Sequence, residues 1–220
     1  VEIAGGSDNV VRGNYIGIAA NGTTELGNTS DGVHISNSGF NVVGGSTVGM
    51  RNVISGNDLH GIAVVGTGGT NEIRGNYIGT DAAGTLDRGN SNDGIHINGS
   101  DENSIGGISA ADRNVVSGND GDGIELLNNS DSNTIKNNYI GTSADGMADL
   151  GNSAIGLRID GSSNKIGTIG QGNVISGNKL DGITISDATD GTTVIGNYVG
   201  VDVTGEQPLG NAFAGIALIN

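Results

Sequence analysis

The stretch Gly-Asn-Tyr-Ile-Gly at Gly13 to Gly17 returns at Gly75 to Gly79, and in shortened form at Asn138 to Gly141 and Asn197 to Gly200. The asparagines of the four copies stand 62, 62 and 59 residues apart. No other feature constrains the fold as tightly. Each copy of a repeat must adopt the same local structure and bury its apolar face against its neighbours.

A second marker halves the period. Gly-Ile-x-Ile and its variants begin at Gly32, Gly61, Gly94, Gly123, Gly156, Gly182 and Gly215, spaced 29, 33, 29, 33, 26 and 33 residues. Four residues before each of these glycines stands an asparagine that itself follows a glycine: Asn28, Asn57, Asn90, Asn119, Asn152, Asn178 and Asn211. Two more motifs complete each turn. One is Asn-x-Ile or Asn-x-Val at Asn9, Asn41, Asn71, Asn103, Asn133 and Asn164, with Thr192 in the seventh copy. The other is Asn-Val/Tyr-Ile/Val at Asn14, Asn52, Asn76, Asn114, Asn138, Asn173 and Asn197.

Three short strands per turn, each alternating with period two and bounded by Gly and Asn, describe a coil of β-structure. Successive turns place equivalent residues ~4.8 Å apart in parallel. Aliphatic residues then stack inside, as in Ile16, Ile54, Ile78, Val116, Ile140, Ile175 and Val199. An amide both donates and accepts, so corner asparagines can stack inside too, each bonding the next. The pattern resembles the right-handed parallel β-helix, the pectate-lyase-like fold with asparagine ladders. The resemblance covers essentially the whole chain and implies an all-β solenoid of about seven turns, roughly 34 Å long. Leucine-rich repeats also carry an Asn ladder, but these turns are poor in leucine and show no helical segment. The Gly-Gly-x-Gly-x-Asp calcium nonapeptide is absent.

Residues 1–220 thus read as one solenoid domain. The chain enters on a strand pattern at Val1 and leaves on one at Leu218-Ile219-Asn220, with no capping helix legible. The expectation is a segment of a longer protein, with contacts to flanking domains or to a neighbour stacked end to end.

Composition narrows the partners. A formal charge of −15 with only nine Lys and Arg opposes binding to nucleic acid or an anionic membrane. Cysteine is absent, so neither a disulfide framework nor a thiolate metal site is available. No apolar run reaches the ~18 residues of a membrane span, and no membrane insertion is expected. Forty-three glycines would suggest a linker, but the periodic Val, Ile and Leu argue for a packed core.

The unequal turns arise from two inserts. The longer is eleven residues every time, at Ile18 to Asn28, Thr80 to Asn90, Thr142 to Asn152 and Val201 to Asn211. The shorter, as in Gly44 to Asn52 and Gly106 to Asn114, is trimmed at Gly167 to Asn173. Short, near-identical loops argue against a single bespoke active site.

Three outward stripes are candidates for function. Tyr15, Tyr77, Tyr139 and Tyr198 recur on alternate turns, ~9.6 Å apart, with Arg12, Arg74 and Lys136 three residues before the first three. Such a row could stack on the sugar faces of an extended polysaccharide; alternatively, each insert folds over its own tyrosine as a satellite core. The x positions of Gly-Ile-x-Ile place His96, Glu125 and Arg158 on consecutive turns, as surface pairs or as a general acid–base set. Before the Gly-Ile glycines, Asp93 and Asp122 stack with Asp120 close by, a carboxylate group that could hold calcium or simply face solvent. The resemblance implies Asp-bound calcium with a basic proton acceptor, for which Arg158 is the nearby basic residue.

Two functions remain. One is a non-catalytic scaffold or adhesion module, extracellular or at a cell surface, presenting a face to a polysaccharide or a cell-surface partner. The other is a polysaccharide-active lyase, hydrolase or epimerase using the acidic site with calcium. Ice binding lacks its regular Thr-x-Thr array.

Overall fold

A computed structural model describes residues 1–186 and 190–219; Asn220, at the end of the last strand pattern, lies outside the described residues. The chain winds into a parallel solenoid of three sheets, the all-β architecture expected. The seven Gly-Ile motifs, with Glu2–Ala4 ahead of them, form an eight-stranded sheet that runs through Ile95–Asn98 to Ile216–Ile219. The Asn-x-Ile motifs form a seven-stranded sheet from Val10–Val11 to Thr193–Val194. The Tyr-Ile and Val-Ile pairs form the third, from Tyr15–Ile16 to Tyr198–Val199. Every pairing is parallel and joins the residues that the repeat aligns, for example Ile16 with Ile54 and Val116 with Ile140.

The interior is a set of aliphatic columns. Ile54, Ile78, Val116, Ile140 and Ile175 form one, and Ile35, Val64, Ile97, Leu126 and Ile159 another, all essentially without solvent contact. Turns this thin leave little room at the corners, and asparagine fills it. In each of three ladders the Oδ1 of one Asn accepts both the backbone N–H and the Nδ2–H of the Asn one turn before. Asn114 donates to Asn138 in this way at 3.3 and 2.9 Å, and Asn138 donates to Asn173 at 2.9 and 3.0 Å. The second Nδ2 proton goes to a backbone carbonyl or a serine hydroxyl, that of Asn138 to Ile105 O and that of Asn41 to Ser38 Oγ. Each buried amide is therefore satisfied without water, which removes the usual penalty for burying it.

Glycine is needed where the chain leaves the third sheet. Gly141 has φ +89°, and a Cβ there would lie 2.2 Å from the Ser176 carbonyl oxygen. The eleven-residue inserts begin at this corner. Each closes on itself through an antiparallel bridge, such as Thr80 with Asp87 and Thr142 with Asp149. Inserts two turns apart also bond each other: Ala82 N–H donates to Gly22 O at 2.9 Å, Ala144 to Gly84 at 2.9 Å and Val203 to Gly146 at 3.0 Å. They form an outer ridge along the third sheet. No helix among the described residues is long and apolar enough to cross a membrane.

Candidate functional site: a charged sheet face and a tyrosine edge

In the eight-stranded sheet, the residue between two inward aliphatics must point outward. Register therefore sets His96 beside Glu125 and Glu125 beside Arg158 on adjacent turns, as the spacing predicts. His96 Nδ1 lies 2.9 Å from Glu125 Oε2, and Arg158 Nε lies 3.3 Å from Glu125 Oε1. The aspartate stripe packs against this row and has a structural task of its own. One oxygen of each aspartate accepts the backbone N–H of the equivalent residue one turn on: Asp31 from His60 at 3.0 Å, Asp93 from Asp122, Asp122 from Ile155 and Asp181 from Ala214, each of these three at 2.8 Å.

The second oxygen turns to the outer row. Asp31 Oδ2 meets His34 Nδ1 at 2.8 Å, and Asp122 Oδ2 accepts from Arg158 Nε at 2.6 Å. Asp93 Oδ2 faces two histidines, His60 Nδ1 at 3.2 Å and His96 Nδ1 at 3.4 Å. Their rings stack with centroids 4.3 Å apart. Burial works against charge on both Asp93 and His96, but their mutual contacts outweigh it. The neighbouring His60 and His96 and the Asp122 N–H hold the Asp93 carboxyl well below the usual carboxylate range. Asp93 and Glu125 raise His96 to about 9. That shift favours the protonated imidazole, which donates from Nδ1 to Glu125 Oε2. The face opens onto a shallow groove of about 350 Å³ lined by His60, Asn92, Asp93, His96, Glu125 and Arg158 among others.

Asp93 and Asp122 are thus brought together with His96, Glu125 and Arg158. Asp120 is not among them: it lines a separate groove with Glu25, Asp58, Asp87 and Ser91. His60 is the residue that sequence reasoning passed over. It stands in the aspartate stripe, on the turn before Asp93, where the other members are mostly acidic.

On the third sheet the tyrosines alternate with valines in register, Tyr77–Val115–Tyr139–Val174–Tyr198. Tyr139 is only 5% exposed and packs with Val115, Val174, Ala144 and Val203, so the ridge of inserts does build a satellite core over it. Arg12, Arg74 and Lys136 lie elsewhere. Arg12 Nη1 lies 3.9 Å from Met50 Sδ, and Arg74 pairs with Glu72 at 3.1 Å and Asp112 at 3.5 Å. Lys136 lines a groove with those same three residues. The cations that do meet the rings come from the intervening turns: the Arg51 guanidinium sits 3.9 Å from the Tyr77 centroid, and that of Arg113 4.0 Å from Tyr139. Both belong to an Arg-Asn-Val triplet whose third copy reads Gly172-Asn173-Val174. A Cβ at Gly172 would collide with the Gly196 carbonyl oxygen, so no side chain can stand at this position. Where the array predicts a guanidinium there is instead a cleft of about 470 Å³, walled by Tyr139 and Tyr198, floored by Val174, with Arg113, Asn137 and Gln171 on its lining. Tyr198 is 48% exposed.

No family model and no curated protein sequence matches the chain. Among solved structures it is similar to the periplasmic alginate epimerase AlgG, with 14% identity and a TM-score of 0.48. The match covers 96% of this chain and 44% of that one, so the chain spans less than half that protein's length.

Proposed function

We propose that the chain is an elongated, non-catalytic scaffold, extracellular or at a cell surface, that binds polysaccharide along its tyrosine edge. The observation that carries this reading is the break in the Arg–Tyr array at Gly172, which opens a cleft between Tyr139 and Tyr198. The two rings stand two turns apart, ~9.6 Å, a span that admits a sugar ring against an aromatic face with amides and Arg113 at hand. The charged face supports the non-catalytic half of the proposal, since Asp93, Asp122, His96, Glu125 and Arg158 engage one another.

Binding is to be measured on an array of neutral and uronic-acid polysaccharides. Tyr198→Ala should weaken binding about tenfold, the loss of one stacking contact of ~1.4 kcal/mol, while leaving the melting temperature near that of the parent. A parent that binds no glycan, or a Tyr198→Ala variant that binds as the parent does, removes the proposal. The competing reading is a polysaccharide lyase or epimerase working from the groove that holds His96, Glu125 and Arg158. Unsaturated or reducing products that vanish in Arg158→Ala would establish it instead.

A further inference from the structure

Three donor atoms on two consecutive turns converge at the mouth of the charged groove, His60 Nδ1, Asp93 Oδ2 and His96 Nδ1, and Glu125 Oε2 on the next turn stands beside the last of them. Consecutive members are separated by 3.2, 3.4 and 2.9 Å. The first three lie mutually within 4.8 Å. A tetrahedral ion with bonds of ~2.0–2.1 Å to nitrogen and oxygen holds its ligands ~3.3 Å apart, close to the 3.2 and 3.4 Å that separate Asp93 Oδ2 from the two imidazole nitrogens.

A second, independent observation singles out the same place. His60 Nδ1 is buried and makes no hydrogen bond, although Asp93 Oδ2 is 3.2 Å away. The contact is off the line that an N–H donor needs, so proximity has not been converted into a bond. A buried polar atom left in this way is costly unless something else meets it.

We infer that His60, Asp93 and His96 form a binding site for a divalent transition-metal ion of the zinc class, with Glu125 swinging in from the next turn as the fourth ligand. Two imidazole nitrogens and two carboxylate oxygens suit such an ion, whereas calcium takes six to eight oxygens. The two carboxylates balance its charge. Outer contacts already orient the set. Asp93 Oδ1 is held by the Asp122 N–H at 2.8 Å, which leaves Oδ2 as the presented ligand. Arg158 engages Asp122 at 2.6 Å and Glu125 Oε1 at 3.3 Å, leaving Oε2 toward the histidines. The Asn92 and Asn98 amides each stand 3.4 Å from the far nitrogen of His60 and His96, respectively. The rings, now stacked at 18° between planes, tilt apart to bring both lone pairs onto the ion. The ion would clip together three turns, a role separate from glycan binding at the tyrosine edge.

The test uses metal-free protein titrated with zinc chloride by isothermal titration calorimetry, with calcium chloride as the parallel arm and thermal melts of each sample. One equivalent of zinc should bind and raise the melting temperature, and cobalt loaded into metal-free protein should give a tetrahedral visible spectrum that zinc then abolishes. Excess calcium should not compete. Outer-contact losses at metal sites cost 10–100-fold, so His60→Ala and Glu125→Gln should each weaken zinc at least ~100-fold. Metal-free melts of both variants establish that they fold. Zinc affinity unchanged in folded His60→Ala, no saturable binding at one equivalent, or preferential binding of calcium would each overturn the site.

Discussion

Two ladders run the length of this solenoid, and they obey different rules. Inside the corners the ladders are asparagine on every turn but for Thr192, because one amide is both donor and acceptor and so fits any neighbour of its own kind. Outside, on the eight-stranded sheet, the row that includes His96, Glu125 and Arg158 changes from turn to turn. Like charges one strand apart repel, so a charged ladder persists only by alternating sign. The inner ladder therefore advertises itself by identity and the outer one by variation. A search for repeats finds the first and reads the second as noise.

The contrast breaks most sharply at Asn138. Replacing it with Leu strips the acceptor from the Asn114 backbone N–H and amide, and the donor from Ile105 O, all buried. At ~1–3 kcal/mol for each unpaired group, Asn138→Leu should cost about 3–5 kcal/mol by denaturant melting. A loss below ~1 kcal/mol would mean that the neighbouring turns relax around the gap.

The outer ladder should answer to pH where the inner one does not. His96 rises from 6.5 to about 9 on folding, so in metal-free protein its contribution is complete below its unfolded value and is lost as pH climbs through about 9. Asp93, shifted the opposite way, adds stability that is present above ~4 and lost in acid. Stability should thus peak between ~pH 4 and 6.5 and fall by up to ~3 kcal/mol toward pH 9. His96→Gln should flatten the alkaline limb; if the limb persists unchanged, another group carries it.

The smallest effect belongs to an ion pair outside both ladders. Lys179 and Asp149 meet at 3.1 Å with side chains 56% and 47% exposed. Lys179→Met should move stability by no more than ~0.5 kcal/mol, within the range of exposed pairs.

What could be read beforehand follows from the same distinction. Ile140 and Asn138 were legible because burial demands the same residue type on every turn. The neighbours His96, Glu125 and Arg158 were legible because strand register follows from the spacing. His60 was not, since its partnership with Asp93 and His96 joins two stripes, a relation that depends on how far side chains lean across a turn. The tyrosines were visible, but their true cations, Arg51 and Arg113, sit on the turns without tyrosine, and proximity in sequence favoured Arg12, Arg74 and Lys136. The aspartates looked like a repelling column, yet each spends one oxygen on a backbone N–H of the next turn, a bond invisible until the backbone path is known.

The ridge of inserts has a consequence for how such a chain can lengthen. Because Ala82 bonds Gly22 and Ala144 bonds Gly84 across two turns, the smallest module that can be duplicated or excised without a seam is the pair of turns, not the single turn. Removing the 62 residues from Asn76 to Asn137 would bring insert against insert, tyrosine against valine and asparagine against asparagine at the new junction. Excising one turn of 29 or 33 residues would preserve the amide column yet dislocate the ridge. Natural length variants of this architecture should accordingly differ from one another by even numbers of turns, as though the gene were ruled in two-turn units.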